Sequence, residues 1–434
     1  MKHLLALRKQ SNKWPYSFLD DAMDITLTIT NLVLSAIMAG IFGVWLYFLT
    51  YMTKSFRQSP MLESFDRTTS VSRSPKVSVI LPARNEGHYI ARCLDSLLGQ
   101  DYPNFEIIAI NDSSTDGTGE IMKAYAANDL RVMHVDASAK PEGWTGKNWA
   151  CYQGFLRARG ELLMFTDADS KHLPSTMSLA VGHLMSENLE ALTAVPRLIC
   201  NDFWTKVTLP VLATFLHTRF SPIRVNDPNT KTGYFFGSFF IITRSTYEAV
   251  GTHEGVKEEL VEDGALGGKV KASKFRMKMV RGESHIDAVW ARDLPTLWQG
   301  LRRLMIPVYY QDKVDAYMMA MAVFFILFAA FVFLPYLPIV AAATSFAGNT
   351  TSSPSFQILF GLQMSAIALI MITTAVQCRL AVFESPLYAF AAPLSGALIS
   401  LSFMSAIADA KKRKGAVSWR DREYIVNKAQ NPLS

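Results

Sequence analysis

Three stretches of this sequence carry no charged side chain: Ile25 to Thr53, Ala316 to Cys378, and Ser385 to Ala408. Nothing else in the chain restricts its fold so strongly, because a bilayer-spanning helix needs about 20 consecutive, mainly apolar residues. The runs predict spans near residues 28–50, 315–341, 356–378 and 386–408, and Leu32 to Leu49 is almost wholly apolar. The first run reads as a span and not as a removable leader. It is long, it starts well into the chain, and it lacks a small-residue cleavage site.

The formal net charge of +6 follows from basic clusters beside these runs. Lys54, Arg57, Arg67, Arg73 and Lys76 follow the first, and Lys411, Lys412, Arg413 and Lys414 follow the last. The positive-inside rule places both clusters in the cytoplasm. The span count disagrees, since a cytoplasmic middle followed by three spans leaves the tail outside. Either one apolar segment is re-entrant or interfacial, or the count is wrong, and the basic tail is the stronger signal. The expected organisation is an N-terminal segment with one transmembrane helix (1–54), a catalytic domain (76–292), an interfacial amphipathic helix (293–312), C-terminal transmembrane helices (315–408) and a basic cytoplasmic tail (409–434). The protein is thus expected to be integral to the cell membrane and multi-pass, with its catalytic domain cytoplasmic. Cys93, Cys151, Cys200 and Cys378 are far apart in sequence and show no metal or redox spacing. The eight histidines form no ligand pattern.

The middle of the chain alternates strand and helix patterns. Lys76 to Leu81 reads as a strand ended by Pro82-Ala83-Arg84-Asn85-Glu86, and Gly87 to Gly99 as a helix with Ile90, Leu94, Leu97 and Leu98 on one face. Phe105 to Ile110 is a second strand, closed by the turn- and cap-forming run Asn111 to Thr118, with a helix following to about Ala127. Arg131 to Val135 is a third strand. Such alternation predicts an α/β fold, a mostly parallel sheet flanked by helices, with ligands bound beyond the strand ends. Ala191 to Pro196 and Tyr234 to Thr243 are expected strands of a second half.

A fourth strand, Leu162 to Phe165, runs into Thr166-Asp167-Ala168-Asp169. Period-two alternation puts Asp167 and Asp169 on one side. Two neighbouring carboxylates repel unless a cation lies between them, and a divalent ion carrying a diphosphate suits hard oxygen ligands. Phe203 to Phe220, apolar but broken by Lys206, Pro210, His217 and Arg219, is either a helix on the membrane surface or a buried core helix. Glu258-Glu259-Leu260-Val261-Glu262-Asp263 opens a helix running to about Ser273, where acids also favour the helix dipole. Asp293 to Met305 carries Leu294, Leu297, Trp298, Leu301 and Leu304 beside Arg302 and Arg303, with Arg292 just before it, the pattern of an interfacial amphipathic helix.

Together these residues resemble family 2 glycosyltransferases of the GT-A fold. Val77 to Glu86, Asp112 with Asp116-Gly117-Thr118, Gly146-Lys147, Asp167-Ala168-Asp169 and Glu262-Asp263 stand in that family's order over about residues 76–305. The run Pro141-Glu142-Gly143-Trp144-Thr145-Gly146-Lys147-Asn148-Trp149-Ala150 resembles the membrane-anchored subset that glycosylates lipids, such as ceramide, carotenoid and hopanoid glycosyltransferases; the tail Val417 to Tyr424 does so less specifically. The resemblance implies a GT-A nucleotide-sugar-binding domain inserted between transmembrane helices. It implies that Pro82, Ala83 and Glu86 line the nucleoside pocket, that Asp112 accepts a hydrogen bond from the base, and that Lys147 reaches the ribose or diphosphate. Asp167 would contact the ribose or sugar side and share a metal site with Asp169, which would bind Mn2+ or Mg2+. Asp263 would be the catalytic base of an inverting displacement, with Glu262 beside it. Gln299 and Arg302 match part of the Gln-x-x-Arg-Trp pattern of processive relatives, which implies that they help bind the nucleotide sugar, but Arg303 replaces its Trp, which speaks against a polysaccharide synthase. Asn111 and Tyr152 also depart from the common pattern.

The implied partners are a UDP- or GDP-sugar, a lipid acceptor and the membrane, with no nucleic acid. An acceptor hydroxyl has a pKa far above 7 and profits from a positioned base, whereas a polyprenyl phosphate is already ionised. The intact Glu262-Asp263 pair therefore favours a hydroxyl acceptor, with a polyprenyl-phosphate glycosyltransferase as the alternative.

Overall fold

In a computed structural model, residues 16–65, 74–346, 353–412, 416–419 and 422–425 are described. Arg67, Arg73, Arg413 and Lys414, and the expectations for the far N-terminus and most of the tail, lie outside them. The chain begins with a 43-residue helix, α1 (Tyr16–Gln58). A seven-stranded sheet follows, built from β1 (Val77–Ala83), β2 (Phe105–Asn111), β3 (Val132–Asp136), β4 (Leu162–Phe165), β6 (Ala191–Val195), β8 (Phe240–Thr243) and β9 (Met277–Arg281), in the order β3-β2-β1-β4-β8-β6-β9. All neighbours pair parallel except β8, which runs antiparallel to both β4 and β6. A small sheet of β5 (Lys171–His172), β10 (Ile286–Ala288) and β7 (Arg197–Leu198) lies apart from it. This is a mixed α/β fold whose mostly parallel sheet is flanked by helices.

Period-two alternation explains how the sheet holds its helices. Val77, Val79 and Leu81 of β1 share a core with Met164 of β4 and with Ile90, Cys93, Leu94 and Leu97 of α2 (Ile90–Leu98). Ile80, Ile108 and Phe165 face the other way, where α4 (Gly146–Phe155) contributes Ala150 and Cys151. Between these helices in sequence lies α3 (Thr118–Asn128), and α5 (Thr176–Ser186) follows β5.

Several sequence expectations shift. The helix after β1 starts at Ile90 rather than Gly87, because Asn85 adopts a left-handed φ of 53° and the chain turns before it coils. Of the expected strand 234–243 only β8 is strand; Phe236 to Phe239 form a turn around Gly237. The helix at the acidic run, α7 (Glu262–Ala272), starts with the Glu262-Asp263 pair, leaving Glu258 and Glu259 in the preceding loop. Lys76, taken as juxtamembrane, instead pairs with Glu106 at 2.6 Å beside the sheet.

Phe203 to Phe220 was open between surface and core. As α6 (Phe203–Arg219), begun by an Asp202–Thr205 capping box, it is buried along most of its length against the helices of the uncharged runs. The amphipathic stretch forms α8 (Leu294–Gln311), within the expected 293–312. It leads into α9 (Lys313–Phe324), which continues through a π-helical turn at 325–329. The remaining long helices are α10 (Pro354–Leu380) and α11 (Ala392–Lys412), the latter preceded by a 3-10 segment at 386–391. Among the described residues, four segments are long and apolar enough to cross a membrane: Asp24–Gln58, Lys313–Val332, Pro354–Leu380 and Pro386–Lys412. The strands β11 (Ala416–Trp419) and β12 (Arg422–Ile425) close the described chain as a hairpin.

Candidate active site

The site lies where the strand order reverses. β1 is flanked by β2 on one side and β4 on the other, and chains leaving two such strands diverge, opening a crevice beyond their carboxyl ends. Pro82 fits this place. Ile80 accepts from the Thr166 amide on the β4 side, so Pro82, two residues on, also points that way, beyond the end of β4, where its missing N–H breaks no ladder bond. Asp112 is held by its amide, which donates to the Ala83 carbonyl at 2.8 Å, and Arg84 caps the Asp112 carbonyl at 2.7 Å.

Asp167 and Asp169 both reach the crevice, but not by strand alternation. β4 ends at Phe165, and the carboxylates sit in a turn closed by Ser170 N–H to the Asp167 carbonyl at 3.1 Å. Arg92 of α2 pins this turn by donating to the Asp169 carbonyl at 3.0 Å. Thr166 donates to the Ser238 carbonyl at 2.9 Å, tying the end of β4 to the Gly237 turn.

The segment before α4 has a concrete structural task. Thr145 caps the helix through Asn148 N–H, and its own amide donates to the Lys257 carbonyl at 2.7 Å. The fully buried Asn148 amide donates to the carbonyls of Val256, Lys257 and Glu259. These bonds lock the N-terminus of α4 to the loop that delivers Glu262 and Asp263. Lys147 thereby lies between two carboxylates, 2.6 Å from Asp167 Oδ1 and 2.7 Å from Glu262 Oε1.

Asp263 is held by two backbone donors, Gly237 N–H to Oδ2 at 2.7 Å and Gly264 N–H to Oδ1 at 2.8 Å. Burial, and then the neighbouring Glu262 charge, push its pKa up to about 7, against the opposing pull of Lys147. Burial alone would lower the Lys147 ammonium, but Asp167, Glu262 and Asp263 outweigh it and hold the pKa above the ordinary lysine value. Tyr234 is held neutral by burial and by the Asp263 and Glu262 charges.

One cavity of about 230 Å³ joins these groups. Its lining includes Pro82, Ala83, Arg84 and Asp112 from the termini of β1 and β2, the carboxylates and Lys147, and an apolar part made by Leu198, Leu212, Leu216 and Leu304 with Trp290 and Arg303. Of the residues singled out in the sequence, Pro82, Ala83, Asp112, Lys147, Asp167, Asp169, Glu262 and Asp263 come together here. Glu86, Gln299 and Arg302 are not among the lining residues. Glu86 is buried in an ion pair with Arg292, and Arg302 pairs with Asp409 of α11. From α8 the cavity receives Gly300, Arg303 and Leu304 instead. Gly237, Trp290 and the α6 leucines were not foreseen; their only sequence signals, an isolated glycine and apolar residues, are too common to single out.

No group of three or more His, Cys, Asp or Glu among the described residues is arranged to hold a metal by itself. The donor set nevertheless suits a divalent ion that arrives with a diphosphate, since such ions are commonly held by one or two carboxylates plus substrate oxygens. The charge balance agrees. Among the described lining residues, five carboxylates face three cations, Arg84, Lys147 and Arg303, so a diphosphate entering alone would meet net negative charge.

Residues 78–251 match the profile of glycosyl transferase family 2. A 4,4'-diaponeurosporenoate glycosyltransferase of Staphylococcus aureus (strain bovine RF122 / ET3-1) is 26% identical over 223 residues, covering 48% of this chain and 54% of the relative. Its counterpart in strain NCTC 8325 gives the same identity and coverage. The match thus spans about half the length of these relatives. Among solved structures, a mannosyltransferase from Pyrobaculum calidifontis, in complex with GDP-Man and Mn2+, superposes with a TM-score of 0.50 at 20% identity, covering 86% of this chain and 99% of the other. That likeness is one of fold, and the fold is GT-A-like.

Proposed function

We propose that this chain, which carries a family 2 glycosyltransferase domain, transfers a sugar with inversion from a nucleoside diphosphate sugar to a hydroxyl of a lipid acceptor at the cytoplasmic membrane face. One observation carries the reading. A single cavity is lined by polar residues from the β1 and β2 termini, by a cluster of carboxylates, and by apolar residues of α6 and α8, which pack on the membrane-type helices. The nucleoside would lie against Pro82 and Ala83, with Asp112 accepting from the base. The lipid would occupy the part lined by Leu212, Leu216 and Leu304. The S. aureus relatives, named for a carotenoid-derived acceptor, support an apolar acceptor, and the GDP-Man and Mn2+ of the archaeal structure support a nucleotide-sugar donor with a divalent ion.

In this reading Asp263 takes the proton of the acceptor hydroxyl as its oxygen attacks the anomeric carbon, and the sugar–phosphate bond breaks on the opposite face. Gly237 and Gly264 amides aim the carboxylate. Glu262 and Lys147 fix its surroundings. Asp169, with Asp167, would hold Mn2+ or Mg2+, which when bound supplies Lewis-acid stabilisation of the departing diphosphate. Asp169→Ala should then remove the divalent-ion dependence of nucleotide-sugar binding, read by calorimetry with and without chelator. Binding that still responds to Mn2+ in this variant would refute the assignment.

A second reading is favoured by Arg303, which brings a cation to the otherwise apolar part of the lining. There the acceptor would be anionic, as a polyprenyl phosphate is, and would need no base. The two are separated by incubating membranes containing the protein with labelled UDP-glucose, UDP-N-acetylglucosamine or GDP-mannose, with and without Mn2+. Labelled lipid that survives mild acid is a glycoside on a hydroxyl. Label released by mild acid indicates a sugar phosphate, and label only in insoluble polymer would overturn both.

A further inference from the structure

The last apolar segment, Pro386–Lys412, has the length of a crossing: its 27 residues would rise about 40 Å as a helix, more than the roughly 30 Å of a hydrocarbon core. Its neighbours contradict a crossing. At its start, Glu384 Oε2 lies 3.4 Å from Lys206 Nζ, and the Phe383 ring lies 5.5 Å from the Arg197 guanidinium. Tyr388 packs near Phe203 and the Lys206 ammonium. These partners are β7 and the first turn of α6. At its end, Asp409 pairs with Arg302, and the Ala410 carbonyl accepts from the Tyr310 hydroxyl at 3.0 Å, both on α8. Helices α6 and α8 both line the catalytic cavity, α6 through Leu212 and Leu216, α8 through Gly300, Arg303 and Leu304. Both ends of the segment therefore meet elements that line or adjoin the cavity.

Helix α10 behaves differently. Its start bonds, through Ser355, to Asn31 of α1, and near its end Gln377 meets His217 of α6. Asn31 lies about 40 Å along α1 from Gln58, at 1.5 Å per residue, so α10 joins the far side to the domain side. Between its ends the last segment presents Leu387, Phe390, Leu394, Leu401 and Met404 outward while Ile399, Phe403, Ala406 and Ile407 are buried. One face suits lipid and the other packs on protein.

We infer that residues 386–412 begin and end on the membrane face that carries the catalytic cavity, so that the chain crosses the bilayer three times and its basic tail shares a side with the cavity. The segment is interfacial or re-entrant. This places Lys54 and Arg57, at the end of α1, on the same face as Lys411 and Lys412, as the positive-inside rule requires. If the acceptor is a lipid, as proposed above, both helices in the apolar part of the cavity lining are then bordered by a segment that belongs to this face alone.

The test is independent of the reaction. Single cysteines are placed at Lys140 in the catalytic domain, at Lys412, and at Ser353 before α10, and the full-length protein is labelled in oriented membrane vesicles with an impermeant maleimide. The four native cysteines are buried and should not compete. Lys140→Cys and Lys412→Cys should react from one side and Ser353→Cys from the other. Reaction of Lys412→Cys from the Ser353 side would overturn the inference. A fluorescent or phosphatase reporter fused after Ser434 gives a second reading that needs no labelling: on the side of Lys140 it supports the inference, on the opposite side it refutes it.

Discussion

At the residue scale, the fate of the site rests on Asp263 and the glycine beside it. Asp263→Asn keeps the shape but loses the base, so turnover should fall about 10²–10⁴-fold while nucleotide binding persists; retention of most turnover would show that Asp263 is not the base. Because burial and Glu262 raise its pKa to about 7, Asp263 loses its charge progressively as pH falls through that value. Transfer by the unmodified protein should therefore fall as pH drops through about 7 and level off above it, as a pH–rate profile of kcat/KM would show. Gly237 has no room for a side chain. A Cβ there would lie 2.8 Å from Asp263 Oδ2, 3.0 Å from Asp167 Oδ2 and 3.1 Å from Lys147 Nζ. Gly237→Ala should cut kcat at least about tenfold, as small displacements of reacting groups do, with a smaller change in thermal midpoint. An alanine variant with unaltered kcat would mean that this convergence of charges is not the reacting centre.

At the scale of elements, the informative unit is the N-terminus of α4 locked to the loop before α7. Asn148 supplies its amide to three carbonyls at once. Asn148→Ala would take the side-chain donor from all three carbonyls, of which Val256 and Lys257 keep backbone donors, at a cost of about 1–3 kcal/mol, and would free Lys147 to move away from Glu262. The expected result is a lowered thermal midpoint together with a loss of kcat larger than that of a surface substitution; a change in neither would show that the lock is not needed. The same element explains a limit of sequence reading. The run around Gly146-Lys147 was recognised by resemblance, and a reach toward the ribose or diphosphate was inferred for Lys147. The structure places Lys147 between Asp167 and Glu262, a position the sequence did not show, because the hydrogen bonds that set it come from carbonyls more than a hundred residues away.

At the scale of the whole molecule, α6 and α8 join the sheet domain to the long apolar helices through one apolar cluster, distinct from the cores on the sheet's two faces. Leu209, Val211 and Leu212 of α6 and Leu297, Leu301 and Met305 of α8 are buried in the same cluster as Trp45 of α1, Ala366 of α10 and Phe403 of α11. A fragment of residues 74–311, cut from its flanking helices, would expose both apolar faces. It should aggregate without detergent, and size-exclusion chromatography with and without detergent would show it. A monodisperse fragment in plain buffer would mean that the catalytic part does not depend on the membrane helices for its surface.

Much of this protein is local, and what is local could be read in the sequence. Uncharged runs give the apolar helices, because length and composition alone decide whether a segment can dwell in lipid. Alternation of short apolar runs with amphipathic ones gives the parallel sheet, and polar residues at the ends of β1, β2 and β4 mark the crevice. What the sequence could not give depends on distant groups meeting. Arg302, which looked like a substrate contact, is engaged by Asp409, and its neighbour Arg303 faces the cavity. Gly237 is hemmed in only because three charged side chains from three other elements converge on it. Whether a 27-residue apolar segment crosses a membrane depends on what its two ends touch, which length and hydropathy do not record. Periodicity and composition are properties of neighbours along the chain; ion pairs, steric room and sidedness belong to neighbours in space.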